Sequence, residues 1–196
     1  MTKPLLPHLI TSLPLSSELS ATLSTEQLQV LGQQLAAGEL PFFDFEAKVF
    51  RYGPNRNHLT FYPEDLERFA ASFAGQPFLR DHDTAHIQSR DGTIQTATLV
   101  GDTFQQTIRL TTQRSIRSLL EGQIDRFSIG WYYEGIDCSV CKSSWLNSSC
   151  PHWPGRQYEV NGQPVHCELI FVHPQGKETS AVNAPAVEGT GILAQL

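Results

Sequence analysis

The chain is punctuated into short alternating runs, and this constrains its fold more than anything else. Phe42 to Phe50 is aromatic and apolar at every second position, as a half-buried strand requires. Ile94 to Val100 and Thr103 to Leu110 read as two strands joined at Gly101-Asp102. Arg126 to Glu134, Tyr158 to Val160, Val165 to Val172 and Glu178 to Val182 follow, with Asn161-Gly162 as a hairpin signal between two of them. Only two core segments read as helices. One opens at Tyr62-Pro63-Glu64-Asp65 with Leu66, Phe69, Ala70 and Phe73 on one face; the other is Gln113 to Leu120, closed by Gly122. Many strands joined by short helices predict an α+β domain built round an antiparallel barrel or sheet.

The 40% of hydrophobic residues supports a packed core rather than a disordered chain. Twenty acidic residues against 14 Lys and Arg give a formal charge of -6 with no basic stripe. A grip on a phosphate backbone needs Lys and Arg to displace counterions, so the composition disfavours a nucleic-acid partner. No apolar run is long enough to span a bilayer, and no membrane association is expected. Pro4, Pro7, Pro14 and His8 interrupt the first 24 residues, which do not read as a secretory signal; the expected location is cytoplasmic.

Two regions are expected. Residues 1–40 form an N-terminal arm, partly helical, in which Ser24 or Thr25 caps a helix over Glu26 to Ala37 and Gly38 ends it. Residues 41–196 form the main domain, interrupted by a cysteine/histidine loop at 137–155.

That loop carries the strongest chemical signal. Cys138-x2-Cys141-x8-Cys150-x-His152 supplies three thiols and one imidazole at a spacing that suits a tetrahedral zinc. Four protein ligands leave no open position for water, so the site reads as structural. Lys142, Ser143, Ser144, Asn147 and Ser149 give the loop little else to hold it. Cys167 stands apart and reads as a small buried side chain.

Three further motifs could carry chemistry. In Phe127-Ser128-Ile129-Gly130-Trp131 the aromatic face should be buried, leaving Ser128 on the opposite face beside a glycine that offers a substrate backbone room. In Asp81-His82-Asp83-Thr84-Ala85-His86 a histidine flanked by carboxylates can act as a base, and the aspartates favour its charged form. In Glu178-Thr179-Ser180-Ala181-Val182 the acid shares a strand face with Ser180 and could orient a histidine. Each has a plainer reading: a polar strand residue, a solvated turn or an i, i+4 histidine pair, and an edge-strand acid.

In this order the segments resemble the prohead (capsid maturation) serine proteases of tailed bacteriophages. The resemblance covers roughly residues 43 to 190 and includes Phe50-Arg51-Tyr52-Gly53-Pro54-Asn55-Arg56-Asn57 upstream. It implies a β-barrel of herpesvirus-assemblin type wrapped by short helices, with the zinc-knuckle-like loop as an insertion. It implies a serine endopeptidase that cleaves scaffold and capsid-protein segments inside the immature head, in the host cytoplasm. His82 then matches the base, Ser128 the nucleophile and Glu178 the orienting acid. His173 competes for the third place and His86 for the base. The zinc would take no part in the chemistry, and the resemblance allows a homo-oligomer.

Three other readings compete with this one. They are an inactive, scaffold-associated structural member of the same fold, a zinc-knuckle binding module, and a metal hydrolase using His82 and His86.

Overall fold

The computed structural model describes residues 24–53, 55–146 and 150–195. The first 23 residues of the expected arm, and Asn147 and Ser149 of the expected zinc loop, lie outside them. The arm's helix is present as α1, Thr25–Ala37. Ser24 caps it reciprocally: its Oγ accepts from the Gln27 N–H, and Gln27 Oε1 accepts from the Ser24 N–H. Leu35 is buried in the main core and Leu31 packs against it, so this part of the arm is docked on the domain.

Strands β1 (Phe43–Arg51), β4 (Arg90–Val100) and β5 (Thr103–Leu110) form an antiparallel set. In β1, Phe43, Phe45, Ala47 and Val49 point inward; in β5, Phe104, Gln106, Ile108 and Leu110 do. With β3 (Pro77–Arg80), β6 (Phe127–Tyr132), β11 (Gln175–Ala181) and β12 (Gly191–Gln195) they make a seven-stranded sheet ordered β12-β1-β5-β4-β3-β11-β6. Phe45 of β1 and Phe127 of β6 sit near opposite ends of that order, yet their ring centroids are 5.9 Å apart. The sheet is therefore curled into a half-barrel.

The sheet is mixed, which corrects the expectation of a purely antiparallel barrel. β3 and β11 run parallel, with Thr179 opposite Phe78 and Ser180 opposite Leu79. Some ninety residues separate the two strands in sequence, and that long excursion frees the chain from hairpin geometry. A second sheet, β2 (Leu59–Phe61), β10 (Leu169–Val172) and β7 (Gly135–Cys138), is also mixed, with β2 and β10 parallel. β8 (Gln157–Val160) and β9 (Gln163–His166) form a separate hairpin. Its turn is Asn161-Gly162, as the sequence predicts, with positive φ at both residues.

Helix α2 (Leu66–Ala71) follows a 3-10 turn at Pro63–Asp65, and α3 (Gln113–Leu120) starts at Thr112, whose hydroxyl accepts from the Ser115 N–H. Phe61 joins the two sheets: its ring meets Phe50, Phe69, Trp131 and Phe171 at centroid distances from 4.8 to 5.9 Å. Asp91, fully buried, is compensated by Arg80 at 2.8 Å and Arg114 at 3.3 Å. Among the described residues, no helix is long and apolar enough to cross a membrane.

Candidate functional site

β11 lies between β3 and β6, and this placement gathers the three residues expected to act together. Across β6 and β11 the register sets Ser128 opposite Ser180 and Gly130 opposite Glu178. Cross-strand partners share a face, with Cβ atoms about 5 Å apart. Ser128, Gly130, Glu178 and Ser180 therefore share one face, while Phe127, Ile129 and Thr179 point into the core on the other.

His82 reaches this face from the end of β3. Asp81 and His82 both adopt left-handed backbone, with φ of 52° and 58°. Two consecutive non-glycine residues there are strained, and such strain collects where the surrounding structure demands a particular side-chain direction. The anchors are visible. The Asp81 N–H donates to Ala181 O at 2.9 Å, and the His82 N–H donates to Ser180 Oγ at 3.1 Å. The turn aims the ring at Glu178, whose Oε1 lies 2.8 Å from His82 Nδ1.

Glu178 is 2% exposed. Its other oxygen, Oε2, accepts from Ser180 Oγ at 2.5 Å. A Cβ at position 130 would overlap Glu178 Oε1. Gly130, two residues after Ser128, thus makes room for this carboxylate. That corrects the expectation that it clears space for a substrate backbone. The hydrogen bond to Glu178 raises the His82 pKa above the ordinary histidine value; desolvation opposes it, the charges of Glu178 and Asp81 add to it, and Lys177 opposes it.

The carboxylate fixes His82 Nδ1 as the protonated nitrogen, which leaves Nε2 free as a base. Among the described residues no hydrogen bond joins Ser128 to His82; what they share is a sheet face and Ser180, which is Ser128's cross-strand partner and binds the His82 N–H. Ser180 is fully buried and its hydroxyl is engaged on both sides, so Ser128 is the serine on this face with partial exposure. The rival residues are placed elsewhere. His86 Nδ1 pairs with Asp83 at 2.9 Å on the surface, and among the described residues neither His82 nor His86 belongs to a group of three or more side chains placed to hold a metal ion. Asp83 is held down to about 2, chiefly by the Ser89 hydroxyl. His173 Nδ1 pairs with Glu134 at 2.7 Å.

A small apolar cavity of 30 Å3 lies beside Ser128, bounded by Ile129, Trp131, Asn55, Leu59 and Val187 among others. It adjoins a larger, polar cleft of 410 Å3 between Arg51, Arg56 and Glu188.

The second constellation is the cysteine loop. β7 ends at Cys138, and a tight turn follows in which the Cys138 N–H donates to Ser143 O and the Lys142 N–H to Cys138 O. Cys138, Cys141, Cys150 and His152 bring their ligand atoms within 4.8 Å of one another. A tetrahedral zinc with thiolates at about 2.3 Å and an imidazole at about 2.0 Å has ligand–ligand edges of about 3.6 to 3.8 Å. Cys138 Sγ to His152 Nδ1 is 3.6 Å, Cys141 Sγ to Cys150 Sγ is 3.7 Å, and Cys150 Sγ to His152 Nδ1 is 3.8 Å. The donor set fits a metal ion of this kind.

Cys167 is not apart from this cluster, as its sequence position suggested. It is fully buried, as expected, with its sulfur 3.8 Å from Cys138 Sγ. Burial pushes its thiol up to about 12, so it remains an S–H able to donate to Cys138. No spacing rule links it to the other three; only the residue type could have drawn attention to it.

The molecule is thus an α+β protein whose curled mixed sheet carries a buried glutamate paired with an exposed histidine, on the face of a partly exposed serine, with a Cys3His cluster on its flank. Comparison with protein-family models, with curated proteins and with solved structures returned no match.

Proposed function

We propose that this protein is a serine endopeptidase of the prohead type, with the half-barrel as its version of the herpesvirus-assemblin fold. The observation that carries the reading is the 2.8 Å contact between His82 Nδ1 and Glu178 Oε1 on the sheet face that bears Ser128. His82 Nε2 takes the proton of Ser128 as Oγ attacks a peptide carbonyl. The proton passes to the leaving amine as the C–N bond breaks, and water releases the acyl group by the same route in reverse. Glu178 orients the imidazole and stabilises its charged form; backbone N–H groups hold the oxyanion. The substrates are scaffold and capsid-protein segments within the immature head. The Cys138, Cys141, Cys150 and His152 cluster holds a structural zinc that takes no part in the acyl transfer.

The test is the intact mass of the purified wild type beside Ser128→Ala after equal incubation, alone and with a scaffold protein. Trimming at defined bonds in the wild type only is the expected result. Identical trimming in both removes Ser128 from the chemistry. If both stay whole with scaffold present, the protein is a structural member of the fold.

A further inference from the structure

We propose that the metal held by Cys138, Cys141, Cys150 and His152 fixes one wall of the cavity beside Ser128, so that zinc loading sets the shape of that cavity. The inference rests on the assignment of zinc to that cluster and adds to it a physical route to the cavity.

The wall in question is residues 55–62. Asn55, Asn57 and Leu59 line the cavity together with Ser128 and Ile129. Locally this segment is held by one side chain: Asn55 Oδ1 accepts from the Asn57 N–H at 3.0 Å and from the Leu59 N–H at 3.2 Å. It is also attached to the body of the domain, through the Arg56 N–H to Ala186 O, the β2–β10 pairing and the buried Phe61 ring, and two further attachments lead to the cysteine module. At one end His58 O accepts from the Leu169 N–H at 2.9 Å. The His58 ring packs onto Gly155, three residues after His152; a Cβ there would stand 2.5 Å from His58 Nε2. At the other end the Tyr62 hydroxyl donates to Asp137 Oδ2 at 2.7 Å, next to the ligand Cys138.

Between these anchors the ligand loop is irregular among the described residues. Its backbone links there include one isolated bridge, Asp137 with Ser144, the Trp145 N–H to Ile136 O and a few turns; the Gly155 N–H donates to Cys167 O, the Cys167 N–H to Arg156 O and the Ser139 N–H to Glu168 O. Leu146 and Trp153 are more than half exposed, while Trp145 packs against the core. Three of the distances among the three sulfurs and the imidazole nitrogen are 3.6 to 3.8 Å and all lie within 4.8 Å, as the edges of a coordination tetrahedron would. Where binding energy is also folding energy, losing the ion loosens whatever leans on the module. What leans on it here is the cavity wall.

The experiment is hydrogen exchange followed by mass spectrometry on the full wild-type chain. It compares zinc-loaded protein, protein stripped with a chelator, and stripped protein given back zinc sulfate, with zinc counted by elemental analysis. One zinc per chain is expected. On stripping, amide exchange in residues 55–62 should speed up about tenfold or more and return with zinc, while β4 and β5 change less than about twofold. Gly155→Ala supplies a second arm: all four ligands remain, so one zinc should still bind, yet exchange in 55–62 should stay fast because the His58 contact is displaced. Faster exchange confined to residues 138–156 would overturn the coupling while leaving the metal site intact. A chain that takes up no zinc would overturn the metal assignment and the inference with it. Neither readout depends on peptide cleavage, so the role of Ser128 is judged separately.

Discussion

Gly130 and Glu178 face each other across β6 and β11, and the carboxylate occupies the space that a side chain at position 130 would fill. Gly130→Ala should therefore displace Glu178 from His82 while leaving Ser128 in its strand. Overpacking a tight site of this kind costs about 1 to 3 kcal/mol. Chemical denaturation should show that loss, and the His82 pKa followed by NMR should fall toward the ordinary histidine value. An unchanged His82 titration would mean that Glu178 has somewhere else to go.

Glu178→Gln isolates the carboxylate's charge. The folded-state pKa of His82 is raised, so the pairing contributes stability in full below the unfolded histidine value, about 6.5, and loses it as pH rises through the folded value. The stability gap between wild type and variant should thus be wide near pH 6 and narrow on the alkaline side. Under the proposed mechanism the rate needs neutral His82. The rising limb of the pH–rate profile should move to lower pH in the variant, while the plateau drops by a factor on the order of 10^4, as for loss of the orienting carboxylate elsewhere. Denaturation midpoints across the pH range and a pH–rate profile check both halves.

Ser180→Ala removes a hydroxyl that donates to Glu178 and accepts from the His82 N–H. With no exposure at this position, water cannot replace it. Leaving those partners unsatisfied should cost about 1 to 3 kcal/mol in urea unfolding. A neutral result would place solvent at Ser180.

Cys167→Ser should keep one zinc per chain but weaken its hold. Groups that donate to a metal-bound ligand typically contribute tenfold to a hundredfold in affinity, and Cys167 sits 3.8 Å from Cys138 Sγ. Competition with a chromogenic chelator reads the change. Complete loss of zinc would instead make Cys167 a ligand.

Phe61→Ala should destabilise the whole domain, by about 3 to 5 kcal/mol. Its ring sits between the two sheets, 5.3 Å from Trp131 and 5.9 Å from Phe171. Thermal unfolding measured by near-ultraviolet circular dichroism tests it. Loss confined to the β2-β10-β7 sheet would show that the sheets unfold independently.

Local signals made much of this legible from sequence. β1, β5 and α3 were visible through periodicity and turn residues, and the Asn161-Gly162 hairpin through its dipeptide. The pairing of His82 with Glu178 was anticipated through a motif order, and the geometry joins those two residues. What was hidden is tertiary. β2 and β7 have three and four residues, too few for a period to emerge. Val165 to Val172 reads as one strand but breaks at Cys167, whose N–H turns aside to Arg156 O. The parallel β3–β11 pairing leaves no local trace, because its register is set by partners far away in the chain. Gly130 was misread for the same reason: the atom it makes room for lies 48 positions downstream.

The insertion of β11 between β3 and β6 also governs when the site can exist during synthesis. Until residues 175–181 have emerged from the ribosome, β3 and β6 have no strand between them, and His82 has neither Glu178 nor Ser180 to hold it. Non-local pairings of this kind form late in folding. A nascent chain that already carries His82 and Ser128 therefore lacks the His82–Glu178 pair, and any chemistry resting on that pair waits for completion of the fold.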